Sequence, residues 1–393
     1  MDVHDAGVAT DHIARARKLA PLLTAAASRI DAACELPSDV LDAMHANGMF
    51  RLLVPRSLGG AELDPATDIQ CVEAIASGDA SVAWCMNQGS GCSMSAGYLE
   101  PRVTHEVFGG ERDVLAWGMG PGAKAIRADG GWRITGTWAF ASGSRHATWL
   151  GAHCPCLEAD GTPQRHPDGR PWERTMLFRR EIAAIKDVWQ VVGLRGTGSD
   201  TYSVRDLFVD DAHTLTRDRP EERQEPGLIY RFAAMQIYAS GFAAVALGTA
   251  RAALEAFIEL ARGKTPALTS SALRDSAVVQ SAIGIADAKL LSARTWLIHV
   301  LRETQAAVAV AGELTTEQRI AIRQASTYAI HQAKEVVDIA YHEAGSTAIF
   351  DVNPFERRFR DVNTVTQQVQ GRRSHFETVG QHLLGMQPAL RWV

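Results

Sequence analysis

The hydrophobic periodicity of this chain changes twice, and this change constrains the fold more than any other feature. Apolar side chains recur at helical spacing over residues 11–115, alternate over short stretches of residues 116–211, and return to helical spacing after residue 226. The sequence therefore predicts an α+β protein in which an antiparallel β domain separates two helical domains. The predicted limits are residues 1–115 for the N-terminal helical domain, 116–225 for the β domain and 226–393 for the C-terminal helical domain.

Local signals mark the ends of several helices. Pro37 and Ser38 precede an apolar helical pattern that Gly48 ends, and Pro65 opens a further helix. Near the C-terminus, Thr315-Thr-Glu-Gln318 has the sequence of a capping box before a long helix. Long helices with short connections predict an antiparallel four-helix bundle after the β domain.

The composition argues against several classes of function. The net charge is -5 and the 40 Lys and Arg residues do not cluster, so no basic surface for nucleic acid is expected. No apolar stretch approaches the roughly 20 residues that span a bilayer, and no basic and apolar leader opens the chain. Six cysteines scattered through 393 residues are typical of free thiols in a reducing compartment. We therefore expect a cytoplasmic protein without membrane or nucleic-acid partners.

The run His153-Cys-Pro-Cys156 resembles part of a metal cluster. A zinc site needs a second pair of ligands at a comparable spacing, and the sequence lacks one. We therefore predict no metal site, and we interpret Cys154 and Cys156 as incidental thiols in a loop. Residues 157–173, with prolines, glycines and charges, are predicted to form a long exposed loop between strands.

Two runs in the predicted β domain contain the candidate cofactor-binding residues. They are Gly136-Thr-Trp-Ala-Phe-Ala-Ser-Gly-Ser-Arg-His-Ala-Thr-Trp149 and Gly193-Leu-Arg-Gly-Thr-Gly-Ser-Asp200. Flat aromatic side chains, a small hydroxyl and glycines allow a backbone to pass along an isoalloxazine ring, and a glycine-rich turn can approach a cofactor closely. Either run alone would favour an ordinary β-hairpin. Their order and spacing favour a flavin site.

With these runs in a β domain between two helical domains, the chain resembles the acyl-CoA dehydrogenase superfamily over nearly its whole length. The resemblance implies one of two activities. Dehydrogenases pass a hydride from an acyl thioester to FAD after a glutamate removes the neighbouring proton. Two-component monooxygenases instead take reduced flavin from a separate reductase, and the flavin reacts with O2 to give a C4a-hydroperoxide. Only the first branch requires a catalytic carboxylate.

The glutamate of the dehydrogenases has no counterpart in this sequence. Arg360-Asp361 resembles the Arg-Asp element that precedes the catalytic position, and we interpret the two residues as a structural ion pair. Counting from this element places the glutamate at Val369 or Gln370, and the other position used in the family falls near Ala234. None of these residues can act as a base. The chain therefore resembles the monooxygenase branch.

The monooxygenase resemblance assigns roles to residues in both runs. Ser142 stands where a hydroxyl meets flavin N5 in the superfamily, and a hydroxyl there is placed to hold the hydroperoxide by a hydrogen bond. The residues that the resemblance places against the flavin are Trp117, Phe140, Ser142, Gly143, Arg195, Gly196 and Thr197. The adenine-binding Arg-x-x-Phe-Gly run is replaced by Ala261-Arg-Gly-Lys-Thr-Pro266, which favours FMN while leaving FAD open.

The sequence leaves the catalytic base open. Many members of the branch carry a histidine where this chain has Gln368. His146 is the best replacement because its place in the first run puts it near the ring, where an imidazole titrates near neutral pH. His375 is a second candidate, and for each histidine a structural role explains the residue equally well. Gln368 can orient a substrate through its amide, and a nucleophilic ring such as indole needs no base.

The predicted function is oxygenation of a small aromatic or heteroaromatic substrate, with O2 and with reduced FMN or FADH2 from a separate reductase. The resemblance also implies a homotetramer. Two alternatives stay open: an acyl-CoA dehydrogenase or flavin oxidase with an unrecognised base, and a catalytically silent protein that keeps the fold without flavin.

Overall fold

A computed structural model of the chain describes residues 3–217 and 219–388. Its helices are α1 (Val3–Ala33), α2 (Ser38–Ala46), α3 (Pro65–Gly78), α4 (Ala80–Ser93), α5 (Pro101–Phe108), α6 (Ala234–Gly263), α7 (Ala277–Ala311), α8 (Thr316–Ala344), α9 (Phe355–Gln367) and α10 (His375–Leu383). Its strands are β1 (Leu115–Trp117), β2 (Lys124–Ala128), β3 (Gly131–Ala141), β4 (Trp149–Leu157), β5 (Glu173–Arg179), β6 (Ala184–Lys186), β7 (Asp200–Asp210) and β8 (Thr214–Leu215).

The N-terminal helices begin where the sequence predicts. Asp64 caps α3 by accepting a hydrogen bond from the Thr67 N–H at 3.0 Å, and Pro65 occupies the first turn. Asp79 caps α4 by accepting from the backbone N–H groups of the next turn. Helix α4 is buried along nearly its whole length, and it packs against α3, α6 and β1. Side chains of α4 therefore reach both the sheet and the C-terminal helices.

The central sheet is mixed, and the predicted antiparallel sheet needs correction. Five strand pairings are antiparallel, but β4 pairs in parallel with both β1 and β2 in the described chain. The alternation of side chains marks each strand but does not determine its distant partner, so the sequence pattern could not reveal these parallel pairs. Cys154 and Cys156 are buried in β4, so their assignment to a loop was wrong. Residues 158–172 do connect β4 to β5 as a largely exposed loop.

The C-terminal helices form the predicted bundle. Helices α6 and α8 pack along each other, α7 and α9 pack against α8, and α10 adds a short fifth helix. The capping box of α8 is confirmed, because the Thr315 and Gln318 side chains each accept from the other's backbone N–H. The N-terminal and C-terminal helices share one hydrophobic core, whereas the sheet has its own. The domain limits given above remain a prediction.

Helix α6 is the central helix of this shared core. It is the one helix of the described chain that is long and apolar enough to cross a bilayer, so the expectation that no stretch reaches that length was wrong. Its apolar stretch is 78% buried inside the protein, as expected of a core helix.

Candidate active site

Phe140 is the most unusual residue of the β domain. Its backbone lies in the left-handed region at φ 58°, which is rare for an aromatic residue, and its side chain is 67% exposed. The pairing of β3 with β7 is irregular here, between Trp138 and Ala141. A strained backbone that presents an aromatic ring to solvent is typical of a functional site.

One apolar side chain contacts this ring, and two more are exposed in neighbouring segments. Trp189 packs edge-to-face on Phe140 with ring centroids 6.1 Å apart, and Val192 on the same loop is 66% exposed. Met119, also exposed, pairs through its backbone with Ala139, the neighbour of Phe140. We call Met119, Phe140, Trp189 and Val192 the apolar platform. It offers a hydrophobic face to a planar ligand.

A chain of hydrogen-bonded hydroxyls lies directly behind Phe140. The Ser142 N–H donates to the Phe140 carbonyl, and this tight turn buries the Ser142 side chain. Ser142 Oγ lies 2.7 Å from Ser199 Oγ, which lies 2.7 Å from Thr197 Oγ1. The indole Nε1 of Trp84, on α4, donates to Ser142 Oγ at 2.9 Å. We call Trp84, Ser142, Ser199 and Thr197 the hydroxyl chain.

The hydrogen-bond partners determine which acceptor receives the proton of each hydroxyl in the hydroxyl chain. Thr197 donates to the Leu194 carbonyl, which can only accept, so Ser199 must donate to Thr197. Ser142 must then donate to Ser199, and it accepts from Trp84. Ser142 is therefore left with one unused lone pair and no proton. Ser142 Oγ can therefore offer a ligand a hydrogen-bond acceptor.

The turn that carries Thr197 and Ser199 is fixed from the C-terminal bundle. Asp361 of α9 accepts a hydrogen bond from the Leu194 N–H at 2.6 Å, and Leu194 has a left-handed backbone. Burial, and then the charge of Asp79, raise the pKa of Asp361 to about 7. The interpretation of Arg360 and Asp361 as an ion pair was wrong: Arg360 pairs with Asp31 and Glu356, so each residue of the element has its own partner.

The predicted cofactor residues are only partly brought together. Gly143 joins the hydroxyl chain, because its N–H donates to the Thr197 carbonyl at 3.1 Å. Arg195 instead binds the Asp31 carbonyl of α1, and a Cβ on Gly196 would overlap Ile30. These two residues dock the turn on the N-terminal helices. Trp117 is buried in β1, flanked by the His153 ring and the Arg217 guanidinium.

His146 lies between the β domain and the N-terminal helices. Its ring packs against Phe50 at 5.4 Å between centroids, and its Nε2 is enclosed without a hydrogen-bond partner in the described chain. Burial, followed by the charges of His45 and Arg180, lowers the pKa of His146 to about 3. The imidazole is therefore neutral at physiological pH, and its role as a base stays a prediction.

Gln368 and His375 lie around a 3-10 turn at residues 369–371 that packs on α8. Gln368 Oε1 accepts from the Gln370 N–H at 2.9 Å, and Gln368 Nε2 is buried without a partner in the described residues. His375 Nε2 donates to the Val369 carbonyl at 2.7 Å, and burial lowers the pKa of His375. Both side chains hold the turn in place, and their catalytic roles stay predictions.

The two positions at which a dehydrogenase glutamate was sought lie side by side. Gln370 Nε2 is 3.6 Å from the sulfur of Met235, the residue after Ala234. Arg323 of α8 is fully buried beside them and donates to Gln370 Oε1 and to the Met235 carbonyl. Burial lowers the pKa of Arg323 to about 10, so it remains a cation at neutral pH. An amide and a guanidinium thus lie where a dehydrogenase would carry its glutamate.

Comparisons with known proteins show the family of this chain. The acyl-CoA dehydrogenase N-terminal domain matches residues 14–99, and the acyl-CoA dehydrogenase C-terminal domain matches residues 240–371. An indole-3-acetate monooxygenase of Pseudomonas putida is 30% identical over 354 residues, which are 89% of this chain and 87% of that protein. The chain belongs to the flavin-dependent monooxygenase branch of the acyl-CoA dehydrogenase superfamily.

Two further relatives support this placement. The oxygenase component of an FADH2-dependent resorcinol hydroxylase from Rhizobium sp. (strain MTP-10005) is 25% identical over 393 residues, covering 96% of this chain and 94% of that protein. The crystal structure of the HsaA monooxygenase from M. tuberculosis superposes with a TM-score of 0.88 at 25% identity, covering 98% of this chain and all of that one. The predicted branch, fold and reduced-flavin chemistry are thereby confirmed, and the dehydrogenase and silent-fold alternatives are set aside.

The sequence analysis missed part of the site. Trp84, which donates to Ser142, lies outside both runs, and Ser199 stood inside the second run without an assigned role. The polar side chains near Met235 were also missed. A glutamine at position 236, within an otherwise apolar helix, was the signal that could have found them.

Proposed function

We propose that this chain is the oxygenase component of a two-component enzyme that oxygenates a bicyclic aromatic ring bearing an N–H, of the indole type. The observation that carries the proposal is that neither base position holds a carboxylate: Gln370 stands at one and Ala234 at the other, and the buried Arg323 donates to Gln370 beside them. Removal of a proton next to a thioester needs a base, whereas an electron-rich ring needs none. The similarity to an indole-3-acetate monooxygenase favours this ring class.

The residues around Ser142 fit a flavin. The apolar platform matches a planar ring in shape and polarity, and the unused lone pair of Ser142 suits an N–H donor on that ring. When bound, reduced FMN or FADH2 supplies the two electrons that activate O2. The part of this chain is to hold the ring on the platform, accept its N–H at Ser142 Oγ and keep water away.

Exclusion of water follows from the packing behind Ser142. Trp84 stacks on Phe242 of α6 with ring centroids 4.0 Å apart, and both side chains are buried. The wall behind the hydroxyl chain is therefore apolar apart from the groups that the chain itself satisfies. Such an environment strengthens the hydrogen bonds of Ser142 and suppresses unproductive release of H2O2.

The test is oxygenation of indole. The purified protein is supplied with chemically reduced FMN and isotopically labelled O2, and the products are analysed by mass spectrometry while H2O2 is measured. We expect one labelled oxygen atom in the product and little H2O2. Ser142→Ala should shift the balance towards H2O2. Bleaching of bound oxidised flavin by an acyl-CoA thioester, with no oxygenated indole, would refute the proposal.

We further propose that the enzyme is a cytoplasmic homotetramer served by a separate flavin reductase. Large apolar side chains are exposed near the C-terminal helices, including Ile349, Phe350 and Val352, and such a patch is typical of a subunit contact. Light scattering after size-exclusion chromatography should give a mass four times that of the chain. A monomeric mass for the wild type would contradict this part of the proposal, and Val352→Asp should weaken the assembly.

A further inference from the structure

Two buried polar side chains in the C-terminal bundle have no hydrogen-bond partner in the described part of the chain. They are Gln236, whose Nε2 and Oε1 are both unused, and Ser326, whose Oγ is unused. Neither residue is accessible to solvent. Buried polar groups in native proteins are almost always paired, because an unpaired one costs free energy. A whole carboxamide left unpaired in a core therefore points to a ligand.

Gln236 faces the seam between α6 and α8. It lies in the first turn of α6, in line with Ala243, which is also fully buried. Gly241 is about 140° further around the helix, and a Cβ there would overlap Asn87 of α4. Since α4 covers that side, the side chain of Gln236 is directed away from α4, and α8 packs along α6 beyond it.

Ser326 faces the same seam from α8. It follows Arg323 by three residues and so lies one turn along on the same face. Arg323 Nη2 reaches the carbonyl of Met235, the residue before Gln236, at 3.5 Å. The first turn of α6 and this turn of α8 are therefore neighbours. Gln236 follows Met235 directly and Ser326 lies one turn from Arg323, so both are close to the position at which Arg323 and Gln370 meet Met235.

The unused groups define the chemistry of a ligand. The amide nitrogen of Gln236 and the hydroxyl of Ser326 offer donors, and the amide oxygen of Gln236 offers an acceptor. The guanidinium of Arg323, which binds Gln370, places a positive charge at the same spot. An apolar ring would leave the Gln236 carboxamide and the Ser326 hydroxyl unpaired. A ring with an N–H beside an oxygen acceptor would pair them.

We propose that Gln236 and Ser326 are the specificity-determining residues of the substrate pocket, and that they select an aromatic ring carrying an N–H donor next to an oxygen acceptor. The proposal rests on the proposed function, since it names the polar edge of the ring to be oxygenated. It predicts that a lactam such as oxindole binds more tightly than indole, and that indene, which has the same shape without polar atoms, binds least.

The experiment measures equilibrium binding of oxindole, indole and indene by calorimetry, to the protein without flavin and to the protein loaded with oxidised FMN. For the wild type we expect about a tenfold preference for oxindole over indene. Gln236→Met, of similar volume, should abolish this preference and also raise the melting temperature, because it removes an unpaired amide from the core. Ser326→Ala should weaken oxindole binding without affecting indene.

Gln332→Met is the matched control, because Gln332 lies on α8 and its Oε1 is already satisfied by Lys289 Nζ at 3.1 Å. It should leave the binding of all three rings unchanged. Equal affinities for the three rings in the wild type, or an unchanged preference in Gln236→Met, would overturn the inference. Because binding is measured without reduced flavin or O2, absence of oxygenation would instead count against the proposed function alone.

Discussion

The hydroxyl chain and the start of α6 treat buried polar groups in opposite ways. In the hydroxyl chain every proton has an acceptor, from the Trp84 indole to the Leu194 carbonyl. At the start of α6, Gln236 and Ser326 have no partner in the described residues. In the first region all hydrogen-bond donors are paired without a ligand, and Ser142 Oγ keeps one lone pair as a free acceptor. The second is incomplete, and its unpaired groups are what a ligand can satisfy.

The comparison predicts opposite effects of removing polar groups from the two regions. In a satisfied network, loss of one member leaves a neighbour unpaired, so the protein becomes less stable. In an unsatisfied cluster, loss of one member removes a cost, so the protein becomes more stable and binds its ligand less well. A third buried polar group lies outside both regions, and its raised pKa shows how large the free-energy cost of an unpaired buried group is.

That group is Asp68 of α3, whose Oδ1 has no partner in the described chain. Burial, and then the charge of Asp64, raise the pKa of Asp68 to about 7. The folded protein thus holds this proton more tightly than the unfolded chain does. The resulting stability is fully present below about pH 4 and is lost as the pH rises through about 7, by about 4 kcal/mol in all. Asp68→Asn should remove this dependence and be more stable than the wild type at pH 8.

The measurement is the melting temperature of both proteins between pH 4.5 and pH 8. Asp129→Asn, at an exposed position, is the matched control and should follow the wild type throughout. If Asp68→Asn and the wild type lose stability equally with rising pH, the buried carboxyl carries no such cost.

Ser199→Ala removes one member of the hydroxyl chain, in which every donor is paired. It removes the acceptor for the Ser142 proton, so we expect a loss of about 1–3 kcal/mol in the free energy of unfolding. It also frees that proton, which should weaken binding of reduced FMN, because Ser142 would then compete as a donor. Thermal unfolding and anaerobic titration with reduced FMN check the two effects. Ser93→Ala is a suitable control, since Ser93 is buried but bonds only to the Ser90 carbonyl of its own helix. An unchanged stability of Ser199→Ala would argue against the directed hydroxyl chain.

Ser326→Ala tests the region whose buried polar groups are unpaired. Here the hydroxyl that is removed has no partner, so the free energy of unfolding should rise by about 0.5–1 kcal/mol. Thr327→Ala, next to it on α8, removes a hydroxyl that donates to the Arg323 carbonyl and should not stabilise the protein. A destabilised Ser326→Ala would mean that Ser326 serves the fold.

The sequence predicted most of the elements and one half of the site. Periodicity and capping signals located α2, α3 and α8, because these features are local in the chain. The parallel pairing of β4 with β1 and β2 depends on contacts between distant residues, and nothing in the strand patterns specified it. For the same reason Cys154 and Cys156 were assigned to a loop, although they lie in the strand that these pairings bury.

In the site, the two runs predicted that Ser142, Gly143 and Thr197 lie against one flavin, and the structure brings these three residues together. They did not predict that Arg195 and Gly196 face the N-terminal helices, since glycine serves close packing and ligand contact equally well. Gln236 and Ser326 were missed because a polar residue on a helix is normally assigned to the surface. Their burial depends on how α6 and α8 pack, which the sequence does not state.

The most direct test of the Ser142 site is the fate of reduced flavin in the presence of O2. The protein is mixed anaerobically with reduced FMN, then with O2, and the return of the oxidised flavin spectrum is followed in the wild type and in Ser142→Ala. If Ser142 and the apolar platform hold the flavin in a dry site, the wild type should return to the oxidised spectrum much more slowly than free FMN, and Ser142→Ala should lose most of this delay. A wild type that returns as fast as free FMN would contradict the assignment.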